Sequence, residues 1–168
     1  MNVWTIRRER DGDEAAISQV IASAFAALEW SDGSEVGIVE RLRKDGDLEA
    51  SYVAVTASGS IVGHVAFSRV DINGAAQGWF GLAPLAVLPD WQNRGIGSAL
   101  VEAGLEDLQR IAAAGCVVLG DPRYYSRIGF AHDPALTYPG ALLADHFQRL
   151  VWHGETPTGA VTYAPAFG

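Results

Sequence analysis

The sequence predicts a mixed α/β fold, α+β-like in its order of elements, in one domain over residues 1–168. Short β-type segments and amphipathic helical segments alternate along the chain, with no repeat, low-complexity tract or linker between them. Hydrophobic residues make up 49% of the chain against 19% charged, which is the balance of a folded globular protein. A chain of this length buries about two-thirds of its unfolded surface, so folding needs no disulfide or metal.

Two helices are predicted after a first strand. The strand covers Val3 to Arg8, where apolar and polar residues alternate. The first helix runs from Asp13 to Phe25 with its apolar residues on one stripe, and Asp13 is placed to cap its N-terminus. A second, shorter helix ends near the turn at residues 44–46.

The middle of the chain predicts the centre of a sheet. Segments Ser51 to Thr56 and Ile61 to Val70 flank a Ser58-Gly59 turn, which favours an antiparallel hairpin. Trp79 to Val87 is a continuous apolar run, which predicts a strand buried on both faces.

A long helix and three more strands are predicted after that run. Apolar residues recur at helical spacing from Ile96 to Ala113, and Gly115 is expected to close the helix. Val117 to Leu119 then forms a strand parallel to the apolar one. Arg149 to Trp152 and Ala160 to Tyr163 are expected to pair across the turn-rich segment GETPTG as an antiparallel end to the sheet.

Composition argues against several classes of function. The net charge of −8 opposes binding to nucleic acid, which needs a basic surface. Apolar runs such as Phe80 to Leu88 are shorter than the roughly 20 residues that span a bilayer, and the first residues show no signal-peptide segment. We therefore expect a cytoplasmic protein with no membrane or nucleic-acid partner. An acidic surface could attract a cationic amine, although solubility explains it as well.

The cysteine and histidine residues predict no metal site and no disulfide. Cys116 is the one cysteine, and its apolar setting favours a small core residue over a nucleophile. The histidines His64, His132, His146 and His153 have no close Cys or His partner in the sequence.

The segment Gln92 to Ser98 is a glycine-bearing turn at the start of the long helix. Unpaired backbone N–H groups and the helix dipole make such a turn suited to anions, and Arg94 adds a full charge. A dinucleotide loop would need glycine where Leu100 stands, and a P-loop would need a lysine, whereas Lys44 is the only one. A diphosphate would therefore be held by backbone and arginine; a plain helix start is the alternative.

Pro84 interrupts the apolar strand just before this turn. Since proline has no N–H to donate, pairing must break there. Residues Leu85 to Val87 would then have free main-chain groups, with which an extended ligand carrying amides could pair like an added strand. A bulge or sheet edge without any ligand is the alternative.

The run Leu85 to Pro89, followed by Gln92 to Gly97, resembles the acetyl-CoA-binding signature of the GNAT acetyltransferases. The resemblance implies a central, mostly antiparallel sheet with helices on both faces and one parallel strand pair splayed apart to hold CoA. It implies that acetyl-CoA is the cosubstrate and that the turn holds its diphosphate, while the strand segment pairs with the acetyl group and pantetheine arm. The cofactor-binding residues implied are Leu85, Ala86, Val87, Gln92, Asn93, Arg94, Gly95, Ile96, Gly97 and Ser98.

Further segments extend this resemblance over nearly the whole chain. The stretch 124–130 (YYSRIGF) looks like the family's Y-x-x-x-G-F element, with Tyr125 at the position of its frequent general acid. Residues 120–125, the Leu42-Arg43 helix and the closing residues 163–167 are similar to a bacterial subgroup of predicted acetyltransferases. One departure is that the strand Trp79 to Val87 has no carboxylate, which many members use as a base.

The resemblance implies an N-acetyltransferase that moves an acetyl group from acetyl-CoA to a primary amine of a small molecule or peptide by direct attack on the thioester. The amine must lose a proton first, because at pH 7 only on the order of one alkyl amine in a thousand is neutral. Asp121, acting through a water, is the candidate catalytic base, with Glu29, Asp32, Glu35 and His64 as alternatives. For each carboxylate a solvated surface position is the competing interpretation.

Tyr125 is the candidate acid, since a phenol keeps its proton at neutral pH; a buried core aromatic is the alternative. A second functional hypothesis is a non-catalytic acyl-CoA-binding sensor or structural relative. A homodimer is left open by the sequence.

Overall fold

The computed structural model describes residues 3–168, which build a nine-stranded mixed sheet with helices packed on both faces. The strands are β1 (Trp4–Arg8), β2 (Leu48–Thr56), β3 (Ile61–Ile72), β4 (Ala75–Val87), β5 (Gly115–Leu119), β6 (Ala131–His132), β7 (Leu136–Thr137), β8 (Phe147–Val151) and β9 (Gly159–Thr162). The helices are α1 (Glu14–Ala26), α2 (Glu35–Asp45), α3 (Ile96–Arg110) and α4 (Pro122–Tyr125). Short 3₁₀ turns include Pro89–Trp91 and Pro165–Phe167.

The sheet is antiparallel apart from two parallel contacts. Its main path runs β1-β2-β3-β4-β5-β8-β6, in which β4 and β5 are the parallel pair. Strand β9 pairs with the end of β3 and lies parallel to β7. The mixed sheet and the helices on both faces confirm the predicted fold class.

Each face of the sheet is covered by apolar side chains of a different helix set. On one face, Ile17 and Ile21 of α1 pack with Val39 of α2 against Val53 and Ala86. On the other face, the apolar stripe of α3 packs against β2, β3 and β4, and its members include Leu100, Val101 and Leu108. Strand β4 is therefore sandwiched between the two layers, and at its C-terminal end Ala86 packs on the α1 and α2 side while Leu85 packs on the α3 side.

The long helix ends earlier than predicted, at Arg110 rather than Ala113. The chain reverses at Ala112, which has a φ of 58°, and the N–H of Ala113 donates to Leu108 O at 3.0 Å. Gly115 does not close the helix: it begins β5, where any side chain would collide with the ring of Trp79. The glycine is thus required for close packing of β5 on β4.

The predicted pairing of the last two strands is wrong. Strand β8 pairs with β5 and β6, whereas β9 pairs with β3 and β7. A turn-rich connection signals a reversal of the chain but does not select the partner. Here Val161 of β9 is buried with Ile72 and Trp79, so the burial of that side chain accompanies pairing with β3.

Asp13 precedes α1 as predicted, but its side chain does not cap the helix. Its carboxylate instead accepts hydrogen bonds from the Arg7 guanidinium at 2.8 Å and from the N–H of Arg10 at 2.7 Å. The backbone of Asp13 is helical, with φ −78° and ψ −14°, rather than extended as in a capping residue, so its carboxylate is directed to Arg7 and Arg10 and not to the helix N–H groups.

Candidate active site

Strands β4 and β5 separate where the sequence places its proline. They pair from Trp79/Gly115 to Leu82/Val118 and no further. Two β4 residues, Ala83 and Pro84, then stand opposite the single residue Ala66 of β3, which is a β-bulge. Residues 85–87 resume pairing with β3 on one side and face a gap on the other. The predicted splay of the parallel pair is therefore present.

The gap opens into two cavities of about 550 and 570 Å³ that share Leu85, Val87 and Gln92 in their walls. The first we call the aromatic cavity. Its aromatic lining is Phe25, Trp30, Tyr125, Tyr138, Tyr163 and Phe167. The second we call the loop cavity. Its remaining lining is Trp91, Asn93, Gly95, Ile96, Gly97, Ser98, Tyr124 and Arg127.

The loop cavity is built on the N-terminus of α3. Asn93 and Gly95 have φ values of 61° and 82°, so the backbone curls tightly before the helix. The first N–H to donate back along the chain is that of Ala99, to Gly95 O at 3.1 Å. The N–H groups of residues 96–98 precede it and stay open, at the positive end of a 15-residue helix. This arrangement fits a phosphate group.

Tyr124 closes over the same turn. Its hydroxyl lies 3.3 Å from Ser98 Oγ. A β-carbon on Gly97 would come within 2.6 Å of that hydroxyl, so only glycine allows the approach.

The arginine that the sequence suggested, Arg94, and a second arginine, Arg127, lie differently relative to the loop cavity. Arg94 stacks on the Trp91 ring, with its guanidinium carbon 4.7 Å from the ring centroid, and is absent from the wall of the loop cavity. Arg127 lines that cavity, its guanidinium carbon lying 5.2 Å from the centroid of the Tyr124 ring. Arg127 lies inside the YYSRIGF motif, but no spacing rule singled it out.

Tyr125 faces the aromatic cavity, on the opposite side from its neighbour Tyr124. Its ring packs edge-on against Tyr124 and Phe130, at centroid distances of 4.9 and 5.7 Å. Among residues 3–168 its hydroxyl has no hydrogen-bond partner, in contrast to the Tyr124 hydroxyl, which lies 3.3 Å from Ser98 Oγ. Burial first, then the proximity of Tyr124 and Cys116, raises the pKa of Tyr125 above its usual value. The phenol therefore keeps its proton at neutral and moderately alkaline pH.

Comparison with known proteins decides the family. A family model described as "Acetyltransferase (GNAT) domain" matches residues 47–132. The N-acetyltransferase YhbS of Escherichia coli K12 is 37% identical over 167 residues, covering 96% of this chain and 97% of the relative. The chain belongs to the GNAT acetyltransferase family.

Two solved GNAT structures are similar along almost the whole chain. One is a Brucella melitensis acetyltransferase in complex with acetyl-CoA, with 41% identity, a TM-score of 0.87 and 98% coverage of both chains. The other is E. coli YhbS in complex with CoA, with 33% identity, a TM-score of 0.88, and coverage of 99% of this chain and 93% of that one.

Asp121 in this GNAT acetyltransferase does not have the surroundings of a general base. Its carboxylate accepts hydrogen bonds from the Arg123 guanidinium and from the Arg123 N–H, both at 2.9 Å. The hydrogen bond from Arg123 lowers the pKa of Asp121, and the residue lines neither cavity. These contacts make Asp121 the N-cap of α4, and we do not retain it as a base.

The alternative bases occupy different surroundings. Glu29 and Asp32 are exposed and outside both cavities, whereas Glu35 is half-buried in the wall of the aromatic cavity. His64 is fully buried, with Nε2 2.8 Å from Ser51 Oγ, and burial lowers its pKa to about 4. His64 lines neither cavity and is neutral at pH 7.

Sequence reasoning gave no site role to the aromatic residues near the end of the chain. Tyr138, Tyr163 and Phe167 form a continuous row of tilted rings, with successive ring centroids 5.2 Å and 5.0 Å apart. No local motif marks them, because the pairing of β9 with β3 and β7 brings them to the site. Only the resemblance of residues 163–167 to the bacterial subgroup pointed to this segment.

Within residues 3–168, no helix is long and apolar enough to cross a membrane. In the same range, no group of three His, Cys, Asp or Glu side chains is placed to hold a metal ion.

Proposed function

We propose that this GNAT acetyltransferase transfers the acetyl group of acetyl-CoA to a primary amine by direct attack of the amine on the thioester. The observation that carries the proposal is the gap beside residues 85–87, because it joins a turn with open N–H groups, suited to a phosphate, to a second cavity lined by a protonated phenol. Relatives that are 41% and 33% identical hold acetyl-CoA and CoA, which supports the same cosubstrate here.

The chain offers matching groups for each part of acetyl-CoA. The open N–H groups of residues 96–98 and the Arg127 guanidinium would hold the diphosphate in the loop cavity. The unpaired edge of residues 85–87 would accept the amide-bearing arm like an added strand. The side chain of Gln92 donates to Val87 O at 3.1 Å and so steadies the end of that edge. The thioester would then lie near Leu85, where the two cavities meet.

Tyr125 is the proposed acid. As the carbon–nitrogen bond forms and the carbon–sulfur bond breaks, its hydroxyl gives a proton to the departing sulfur and is reprotonated by solvent. The protons lost by the amine pass to water. Cys116 takes no part, because it is fully buried outside both cavities and burial raises the pKa of its thiol.

The test measures acetyl-CoA binding and turnover separately. Calorimetry should detect binding of acetyl-CoA, and incubation with acetyl-CoA and a panel of amines should release free thiol in step with acetylated amine found by mass spectrometry. Omitting the amine is the control for simple hydrolysis. The sensor hypothesis predicts acetyl-CoA binding with no amine-dependent thiol release. No binding of acetyl-CoA would refute the proposed function itself.

A further inference from the structure

The aromatic cavity identifies the chemical class of acceptor, provided that the proposed function holds. We infer that the acceptor is a small arylalkylamine, a primary amine on an aromatic skeleton with no acidic group beside it, and that Glu35 binds its ammonium group. The inference combines the charge of the cavity wall, its aromatic surface and its size.

Glu35 is the charged side chain of this wall, and no Lys, Arg or His of the described chain lines the cavity. Its Oε1 accepts a hydrogen bond from Ser31 Oγ at 2.7 Å. Among residues 3–168, Glu35 forms no ion pair, although it is half-buried. Within the described chain Glu35 is the only charged residue of this largely apolar wall, and an ammonium group bound there would give its carboxylate a matching cation.

The same wall rejects an acceptor that carries its own anion. The carboxylate of an amino acid, or a phosphate beside the amine, would enter the cavity without a cationic partner and close to the charge of Glu35. Leaving a buried charge unpaired is one of the stronger ways in which a site discriminates. We therefore expect a preference of at least about 100-fold for an amine over the matching amino acid.

The rest of the surface favours aromatic rings. Phe25 and Trp30 meet edge to face at 6.0 Å near the mouth, where Trp30 is 74% exposed. The row of tilted rings of Tyr138, Tyr163 and Phe167 forms the other wall. Rings gain from offset or edge-on packing against such walls, and an ammonium group gains from the faces of aromatic rings. A volume of about 550 Å³ is in the range of small-molecule sites.

The experiment compares matched acceptors with the intact protein and acetyl-CoA. The probes are phenethylamine and tryptamine, their carboxylated counterparts L-phenylalanine and L-tryptophan, ethanolamine as an amine without a ring, and a short lysine peptide. Thiol release gives kcat/KM for each probe, while calorimetry of acetyl-CoA reports the donor site independently. The aromatic amines should exceed every other probe, by at least about 100-fold over the two amino acids.

Glu35→Gln should lower kcat/KM for phenethylamine by about 10–100-fold, mainly through KM, with acetyl-CoA affinity unchanged. Glu29→Gln is the matched control: it removes an exposed carboxylate outside the cavity and should behave like the parent protein. Glu35→Asp should restore part of the loss.

The outcomes separate this inference from the function on which it rests. Equal use of amines and amino acids, preference for the lysine peptide, or an unaffected Glu35→Gln variant would overturn the inference and leave the acetyltransferase proposal standing. Acetyl-CoA binding with none of the probes acetylated would overturn it as well. Failure to bind acetyl-CoA would instead refute the proposed function.

Discussion

Removing the hydroxyl of Tyr125 tests the chemistry most directly. In Tyr125→Phe the ring keeps its packing against Tyr124 and Phe130, at 4.9 and 5.7 Å. The residue lines the aromatic cavity and its hydroxyl makes no hydrogen bond within residues 3–168, so the free energy of unfolding should change by less than about 0.5 kcal/mol. Acetyl-CoA affinity should also survive, since the loop cavity does not include Tyr125.

Turnover should fall by about 10²–10⁴, which is the usual effect of a positioned acid and corresponds to about 2.7–5.4 kcal/mol of barrier. The assay is thiol release at saturating acetyl-CoA and amine, with urea unfolding and calorimetry as controls for folding and binding. The raised pKa adds a second expectation: in the parent protein, ionisation of Tyr125 should cause no loss of kcat near pH 10, where an ordinary tyrosine titrates.

Tyr124→Phe is the matched variant. Its hydroxyl faces the loop cavity and lies 3.3 Å from Ser98 Oγ, so its removal should raise KM for acetyl-CoA and leave kcat within about threefold. A fully active Tyr125→Phe enzyme would show that the sulfur takes its proton from water or from Tyr124. A Tyr125→Phe protein that fails to fold would assign the residue to the core.

Three further predictions concern the donor site and the buried histidine. Gly97→Val should displace the Tyr124 hydroxyl, which would lie only 2.6 Å from the new β-carbon, and calorimetry should show loss of acetyl-CoA binding in a folded protein; unchanged affinity would remove this turn from the site. Arg127→Ala should weaken acetyl-CoA binding about tenfold at low salt and less at high salt, whereas Arg94→Ala should have little effect. A larger loss of affinity in Arg94→Ala than in Arg127→Ala would show that Arg94 is the arginine that binds the diphosphate. His64 has its pKa lowered to about 4 by burial, so the unfolded chain binds the extra proton below pH 6.5. Stability should therefore fall by about 3 kcal/mol between pH 6.5 and 4 and then level off for this group, and urea unfolding of His64→Gln should show a shallower loss.

The sequence predicted the order of the main elements, and the reason lies in local pattern. Two signals are strong: the apolar run from Trp79 to Val87 and the helical periodicity after Ile96. Each can be recognised within one short segment, because the pattern of apolar residues there reflects burial or helical spacing directly. The break at Pro84 was predictable because a residue without a backbone N–H interrupts the hydrogen bonding between neighbouring strands. The boundaries at Arg110 and Gly115 were missed, since a non-glycine residue, Ala112, makes the turn.

Long-range pairing was beyond such patterns. The partners of β8 and β9 depend on which apolar side chains find room against Ile72 and Trp79, and not on the turn between them. The donor turn was predictable because it is contiguous, whereas the aromatic cavity collects side chains from α1, α2 and the last strands. Arg94 was named from the sequence because it lies in the turn itself, although its guanidinium stacks on Trp91 in the structure; Arg127, which lines the loop cavity, comes from a distant segment and was not considered.

The two cavities are also built from different parts of the chain, one that serves the acetyl donor and one that can vary with the acceptor. The GNAT family match spans residues 47–132 and contains all the residues that line the loop cavity. Of the six aromatic residues in the other cavity, only Tyr125 falls inside it; Phe25 and Trp30 precede it, as does Glu35, and Tyr138, Tyr163 and Phe167 follow it. The same donor apparatus could therefore serve a different amine after replacement of two flanking segments, 25–35 and 138–167.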